Sequence, residues 1–118
     1  MLSHDFISSS KENIVNALNY YPSKTLVGEE MKIAVIRDGL LLSIITLFND
    51  VEIYDGVGKP PIYKLNYYGA SIIPPTSCFI LYKKIKKLSF FKRARLRKLT
   101  QILLYSITNN YYIVHHGI

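Results

Sequence analysis

Apolar and polar positions along the chain change period several times. In SSSKENIVNALNYYP the apolar residues Ile14, Val15, Leu18 and Tyr21 recur at helical spacing. Ser10 can cap that helix, Glu12 suits its first turn, and Pro22 ends it by pushing Tyr21 out of the α region. The next stretch, SKTLVGEEMKIAVIRDG, has two readings. Thr25 or Ser23 can cap a second helix running to Val35. Alternatively, residues 32–36 form a strand that turns at Arg37-Asp38-Gly39 into another strand over 40–48. Periodicity does not separate them, because KIAVI and LLLSIITLF are short, unbroken apolar runs.

The pattern sharpens in VEIYDGVGKPPIYKLNYYG. Val51, Ile53 and Tyr54 suit a strand, 55–61 is a turn with two glycines and two prolines, and 62–66 alternate as a returning strand. This predicts a β-hairpin with a stiffened, basic tip. ASIIPPT reads as a break. From Ser77 to Asn110 the pattern is mainly helical, with Leu81, Ile85, Leu88, Leu96, Leu99, Ile102 and Leu103 approximating a stripe, and SFF at 89–91 as a possible interruption. NNYYIVHHGI is a tail with room for one short strand.

Charge changes the picture most. All eight acidic residues lie in the first 55 positions, which carry a net −4, and residues 56–118 carry +11 with no acid. Nine of the sixteen residues from 83 to 98 are basic: Lys83, Lys84, Lys86, Lys87, Lys92, Arg93, Arg95, Arg97 and Lys98. A solvated helix face ordinarily mixes signs, and stacked like charges repel by a few tenths of a kcal/mol per pair. A polyanion would relieve that repulsion, and nucleic acid is the commonest one. The leucine stripe either packs on the chain's own core or pairs across a two-fold in a homodimer.

With 118 residues the chain is expected to form one domain, with a core over 10–73 and a basic helical segment over 76–108. The single cysteine, Cys78, excludes a disulfide framework and a cysteine-based zinc site. The start lacks the pattern of a signal peptide, and the apolar runs fall short of the roughly 20 residues that span a bilayer. The expected setting is therefore cytoplasmic, without a membrane partner. Abundant Tyr, Ile, Lys and Asn fit an AT-rich coding sequence, as in some archaea and their viruses, with a host cytoplasm as the setting if viral.

The order helix, helix, helix, hairpin, helix resembles that of a winged helix-turn-helix domain. Gly58, Lys59, Tyr63, Leu65 and Gly69 resemble the wing and last strand of winged-helix regulators over about residues 10–70. This resemblance favours helices for the ambiguous middle and implies an α+β fold, a winged helix-turn-helix core with a C-terminal basic helix. It implies a regulator of transcription on double-stranded DNA, with a third helix near 38–49 presenting Arg37, Ser43, Thr46 and Asn49 to the groove. That helix is nearly all apolar here, which moves the expected contacts to Lys59 and Lys64 on the wing and to the basic segment. The rival expectation is a protein-interaction module, such as a viral inhibitor, docking on an acidic protein.

No catalytic constellation is visible, and neither a cofactor nor a metal is expected. The chain lacks a glycine-rich phosphate loop and a nucleophile with a base. His115 and His116, with His4 far away in sequence, read as part of a mobile tail without further ligands. The adjacent pairs Tyr20–Tyr21, Tyr67–Tyr68 and Tyr111–Tyr112 read as one ring inward and one at the surface.

Overall fold

The computed structural model describes residues 2–19 and 32–117. The protein is α+β. Its elements are β1 (Ser3–Ser9), a 3-10 turn (Lys11–Asn13), α1 (Ile14–Leu18), β2 (Lys32–Arg37), α2 (Asp38–Ile44), a 3-10 turn (Ile45–Phe48), β3 (Ala70–Ile73), α3 (Pro75–Lys86), α4 (Phe90–Arg95), α5 (Arg97–Asn109) and β4 (Tyr112–His116). The strands form one antiparallel sheet in the order β2-β1-β4-β3.

Both faces of the sheet are covered, which explains why its central strands lack simple alternation. Phe6, Ile73 and Ile113 face one way, into a large core with Leu81 and Ile85 of α3 and Leu99, Ile102 and Leu103 of α5. Ile7, Ile72 and Val114 face the other way, against Ile14 and Ala17 of α1. Ser8 is buried by donating to or accepting from Ser106 of α5 at 2.6 Å, so a polar residue fits where an aliphatic one would be expected.

Local chemistry sets the helix ends. Pro75 occupies the first turn of α3, where a missing N–H is harmless. Ser89 caps α4 by accepting from the Lys92 N–H at 3.4 Å. After α5, Asn110 takes the left-handed conformation (φ 56°), with Tyr111 N–H bonded to Ser106 O (2.8 Å) and Asn110 N–H to Ile107 O (3.3 Å). This is a Schellman turn, and it throws the chain back into β4.

Several expectations change. The first helix exists but is short. The Pro22 stop, the Thr25 or Ser23 cap and the Tyr20–Tyr21 pair fall outside the described residues. Residues 32–37 are a strand, not the end of a second helix, while 38–48 are helical, not a returning strand. Each reading of this stretch was half right: Leu41, Ile44 and Phe48 share one buried helical face, whereas Ala34 and Ile36 alternate with exposed neighbours. The described order is thus strand, helix, strand, helix, which differs from the order expected of the winged helix.

The expected hairpin over 51–66 has no ladder. It is tied by Ile62 N–H to Ile53 O (2.8 Å) and Asp50 N–H to Tyr63 O (3.0 Å). Tyr54 instead spends its backbone groups on Ile72, at 2.9 and 2.6 Å, closing the β3 edge of the sheet. Prolines 60 and 61 have no N–H to extend the pairing. The expected break ASIIPPT contains β3, and the expected tail is β4, which lies between β1 and β3. A core confined to 10–73 therefore does not exist. Of the stripe, Leu81, Ile85, Leu96, Leu99, Ile102 and Leu103 are buried in the chain's own core, with Leu88 half-buried against it.

Candidate nucleic-acid interface and the histidine relay

Two polar assemblies stand out. The first is the end of the helical layer where α3 finishes, α4 crosses and α5 begins. Lys83, Lys86 and Lys87 project from α3 and its C-cap, Lys92, Arg93 and Arg95 from α4, and Arg97 and Lys98 from the first turn of α5. All eight are exposed. Among the described residues, none of them has a carboxylate within ion-pair distance or a side-chain hydrogen bond. Lys83 and Lys86 lie over the rings of Phe79 and Tyr82, at 5.2 and 5.3 Å.

Helix dipoles help only part of this cluster. The cations of α3 and α4 sit in last turns, where a positive charge is favoured. Arg97 and Lys98 sit in the first turn of α5, which contains no acid. That placement is unfavourable by about 0.3–1 kcal/mol per charge unless an anion lies nearby.

The ninth cation behaves differently. Lys84 Nζ donates to the carbonyls of Leu47 and Asn49, both at 3.0 Å. It caps the 3-10 turn after α2 and belongs to the fold.

A groove of about 340 Å³ lies among the three helices, with Tyr82 and Lys86 from α3, Phe90 and Arg93 from α4, and Arg97 and Gln101 from α5 in its walls. A second groove, of about 480 Å³, lies on the other flank of α5 and runs to the β2 edge, with Lys98, Gln101, Tyr105 and Lys32 in its walls. Gln101 belongs to both. Lys32 Nζ rests 5.5 Å from the Tyr105 ring centroid. Cations and aromatic rings therefore share the walls on both flanks of α5.

The other residues singled out by the sequence do not join this cluster. Arg37 is exposed at the β2–α2 junction, and Ser43 spends its hydroxyl on Leu40 O at 2.6 Å. Thr46 and Asn49 are exposed near the end of the 3-10 turn. Asn49 lies beside Lys84 near the C-terminus of α3, and Glu52 O accepts from Ser77 near its N-terminus (2.6 Å). The chain thus runs back along α3 before reaching Tyr54 and β3. Lys59 is exposed in the loop beyond, where its N–H bonds to Gly56 O (3.4 Å). Lys64 is exposed next to Tyr63, near the base of that loop.

The second assembly had no signature as a group in the sequence. His4 and His115, 111 positions apart, are both fully buried, with His4 Nδ1 2.8 Å from His115 Nε2. His4 Nε2 lies 2.9 Å from Asp38 Oδ1, and the Tyr67 hydroxyl donates to the same oxygen. His115 Nδ1 lies 3.2 Å from Ser71 Oγ, which accepts from Asn66 N–H at 2.8 Å. An ionised carboxylate only accepts, so His4 carries its proton on Nε2. His4 Nδ1 then accepts from His115 Nε2–H, and His115 Nδ1 accepts from the Ser71 O–H. With both rings neutral, every donor in the chain has an acceptor.

The energetics follow. Burial pushes the His115 pKa down to about 3, with His4 and His116 adding to the effect. The Tyr67 bond, then the His4 bond, holds Asp38 below its ordinary range. The same bond, with burial, pushes the Tyr67 phenol up to about 12. Gly117 lets the chain pass close to this site, because a methyl there would overlap the Tyr67 carbonyl. Ser71 and His115 are out of reach of solvent, so the relay holds β1, β4, β3 and α2 together. The expected mobile tail is thus the opposite of what His115 forms.

Cys78 is buried, and burial pushes its thiol up to about 12. Among the described residues no three His, Cys, Asp or Glu are grouped to hold a metal, and no helix is long and apolar enough to cross a membrane. No protein-family model matches the chain, and no curated protein or solved structure is significantly similar to it.

Proposed function

We propose that the protein binds nucleic acid, holding backbone phosphates on the cationic end built by α3, α4 and α5. The observation that supports this most is the gathering of eight exposed cations at one end of the molecule without a single acidic neighbour among the described residues. Two of them stand at a helix N-terminus, where only a bound anion makes a positive charge favourable. Lys84 shows what a cation in this region does when it serves the fold: it finds two carbonyls. Among the described residues its eight neighbours have no comparable hydrogen bonds.

This reading does not use a wing or a reading helix. The double-stranded DNA regulator implied by the winged-helix resemblance would need Arg37, Ser43, Thr46, Asn49, Lys59 and Lys64 on the same surface. Those residues are dispersed over α2 and the 50–66 loop. The reading rests on the phosphate contacts of α3–α5 alone, which carry no sequence information by themselves.

The test is a salt series of binding to short DNA, measured by fluorescence anisotropy. Affinity falls steeply with salt, and changing Arg93, Arg95 and Arg97 together to Ala lowers the log–log slope by about 2–3. Stability stays nearly unchanged, since among the described residues none of the three has a hydrogen-bond or ion-pair partner to lose. A flat salt dependence in the native protein, or the same slope in the triple variant, removes the proposal.

A further inference from the structure

Resting on that reading, we infer that the preferred ligand is single-stranded nucleic acid, lying across α5 from the α3–α4 groove to the β2 edge. The cations explain attraction to any nucleic acid, but not the aromatic rings set between them. In the first groove Tyr82 and Phe90 stand among Lys86, Arg93 and Arg97. In the second, Tyr105 lies under the Lys32 ammonium and shares the groove wall with Lys98. Phe90 is 71% exposed, and its neighbour Phe91 is 79% exposed, so two phenyl rings stand in solvent beside the cations of α4.

A duplex gives such rings nothing to bind, because its bases are stacked inside. Unpaired bases offer π faces, and grooves lined by both cations and rings suit a strand that presents both phosphates and bases. The two grooves share Gln101, so one strand crossing the first two turns of α5 enters both. An apolar wedge for an anionic bilayer would also expose phenylalanine beside lysine. The recessed setting of Tyr82 and Tyr105, each paired with a lysine ammonium inside a groove, favours flat rings over acyl chains.

Anisotropy measured at one low salt concentration, with labelled oligo-dT of 12 nucleotides and a 12-base-pair duplex, tests this. The expected result is tighter binding of the single strand by about tenfold or more, with Phe90→Ala and Tyr105→Ala each lowering single-strand affinity by roughly tenfold and leaving the duplex unaffected. Phe90→Trp keeps the preference. Equal affinity for the two oligonucleotides, unchanged by Phe90→Ala, overturns the single-strand inference while leaving nucleic-acid binding in place. No binding of either, with capture by phosphatidylserine-containing vesicles that Phe90→Ala abolishes, overturns both. Phe90 is exposed and α4 contributes nothing to the core, so the variant is expected to fold.

Discussion

At the centre of the sheet, charge and polarity are answered atom by atom; at the α4 end of the helical layer, they are left open. Among the described residues no buried side-chain nitrogen or oxygen lacks a hydrogen-bond partner. The relay from Asp38 through His4 and His115 to Ser71 shows how this is achieved: each donor faces an acceptor, and four elements are tied by three contacts. The eight cations of α3–α5 are the reverse case. The contrast separates polar residues that hold the fold from polar residues available to a ligand, and it comes from partnership, not from residue type.

The contrast is sharpest at His115. Changing His115 to Ala leaves His4 Nδ1 and Ser71 without their partners and opens a cavity in the core, for a loss of about 3–4 kcal/mol. Urea denaturation reads that loss, while nucleic-acid affinity of the folded variant stays within about twofold. A large loss of affinity in folded protein would show that the two regions are coupled.

Acid should find the same region. His115 binds a proton in the folded protein only near pH 3, but in the unfolded chain near its ordinary value of 6.5. Between those values the unfolded state holds more protons. Stability is therefore fully present above about pH 6.5 and declines as pH falls toward 3, by at most about 1.4 kcal/mol per unit. The facing groups are His4, Asp38, Tyr67, Ser71 and His116. Asp38, held low, adds to the loss once pH falls below its ordinary 3.8. Denaturation midpoints at pH 8, 5 and 4 check the slope; a midpoint that holds steady to pH 4 would mean the pair accepts a proton in place.

The smallest effect separates two lysines three positions apart on the same surface. Lys84→Met removes two hydrogen bonds from a charged donor and is expected to lower stability by about 1–2 kcal/mol. Lys87→Met leaves stability within about 0.5 kcal/mol and instead weakens nucleic-acid binding. If the two variants behave alike in both assays, the distinction between partnered and unpartnered cations carries no functional weight.

How much of this could be read in advance differs between the regions. The leucine stripe, the interruption near SFF and the one-sided charge of residues 83–98 were all legible, because helix periodicity and local charge are properties of neighbours in sequence. The middle of the chain was legible only as two alternatives, and the strand-then-helix outcome took one half from each. The wing was legible only in part: alternation over 62–66 and a glycine-proline turn suggested a hairpin, and Tyr54 does bridge Pro61 across the turn, but no ladder follows and Tyr54 also pairs with Ile72 of β3. His115 follows the apolar run YIV, which was an available signal of burial, whereas His4, flanked by Ser3 and Asp5, gave none.

From the sequence alone came the run of cations over 83–98, the leucine stripe among them and the single cysteine, all consequences of composition and short-range spacing. The order of the strands, the joining of residues 4 and 115, and the grooves that set rings between cations were decided by tertiary structure. Strand pairing acts between segments about a hundred residues apart, and the histidines become a relay only when β1 and β4 lie side by side, 2.8 Å apart at the two ring nitrogens.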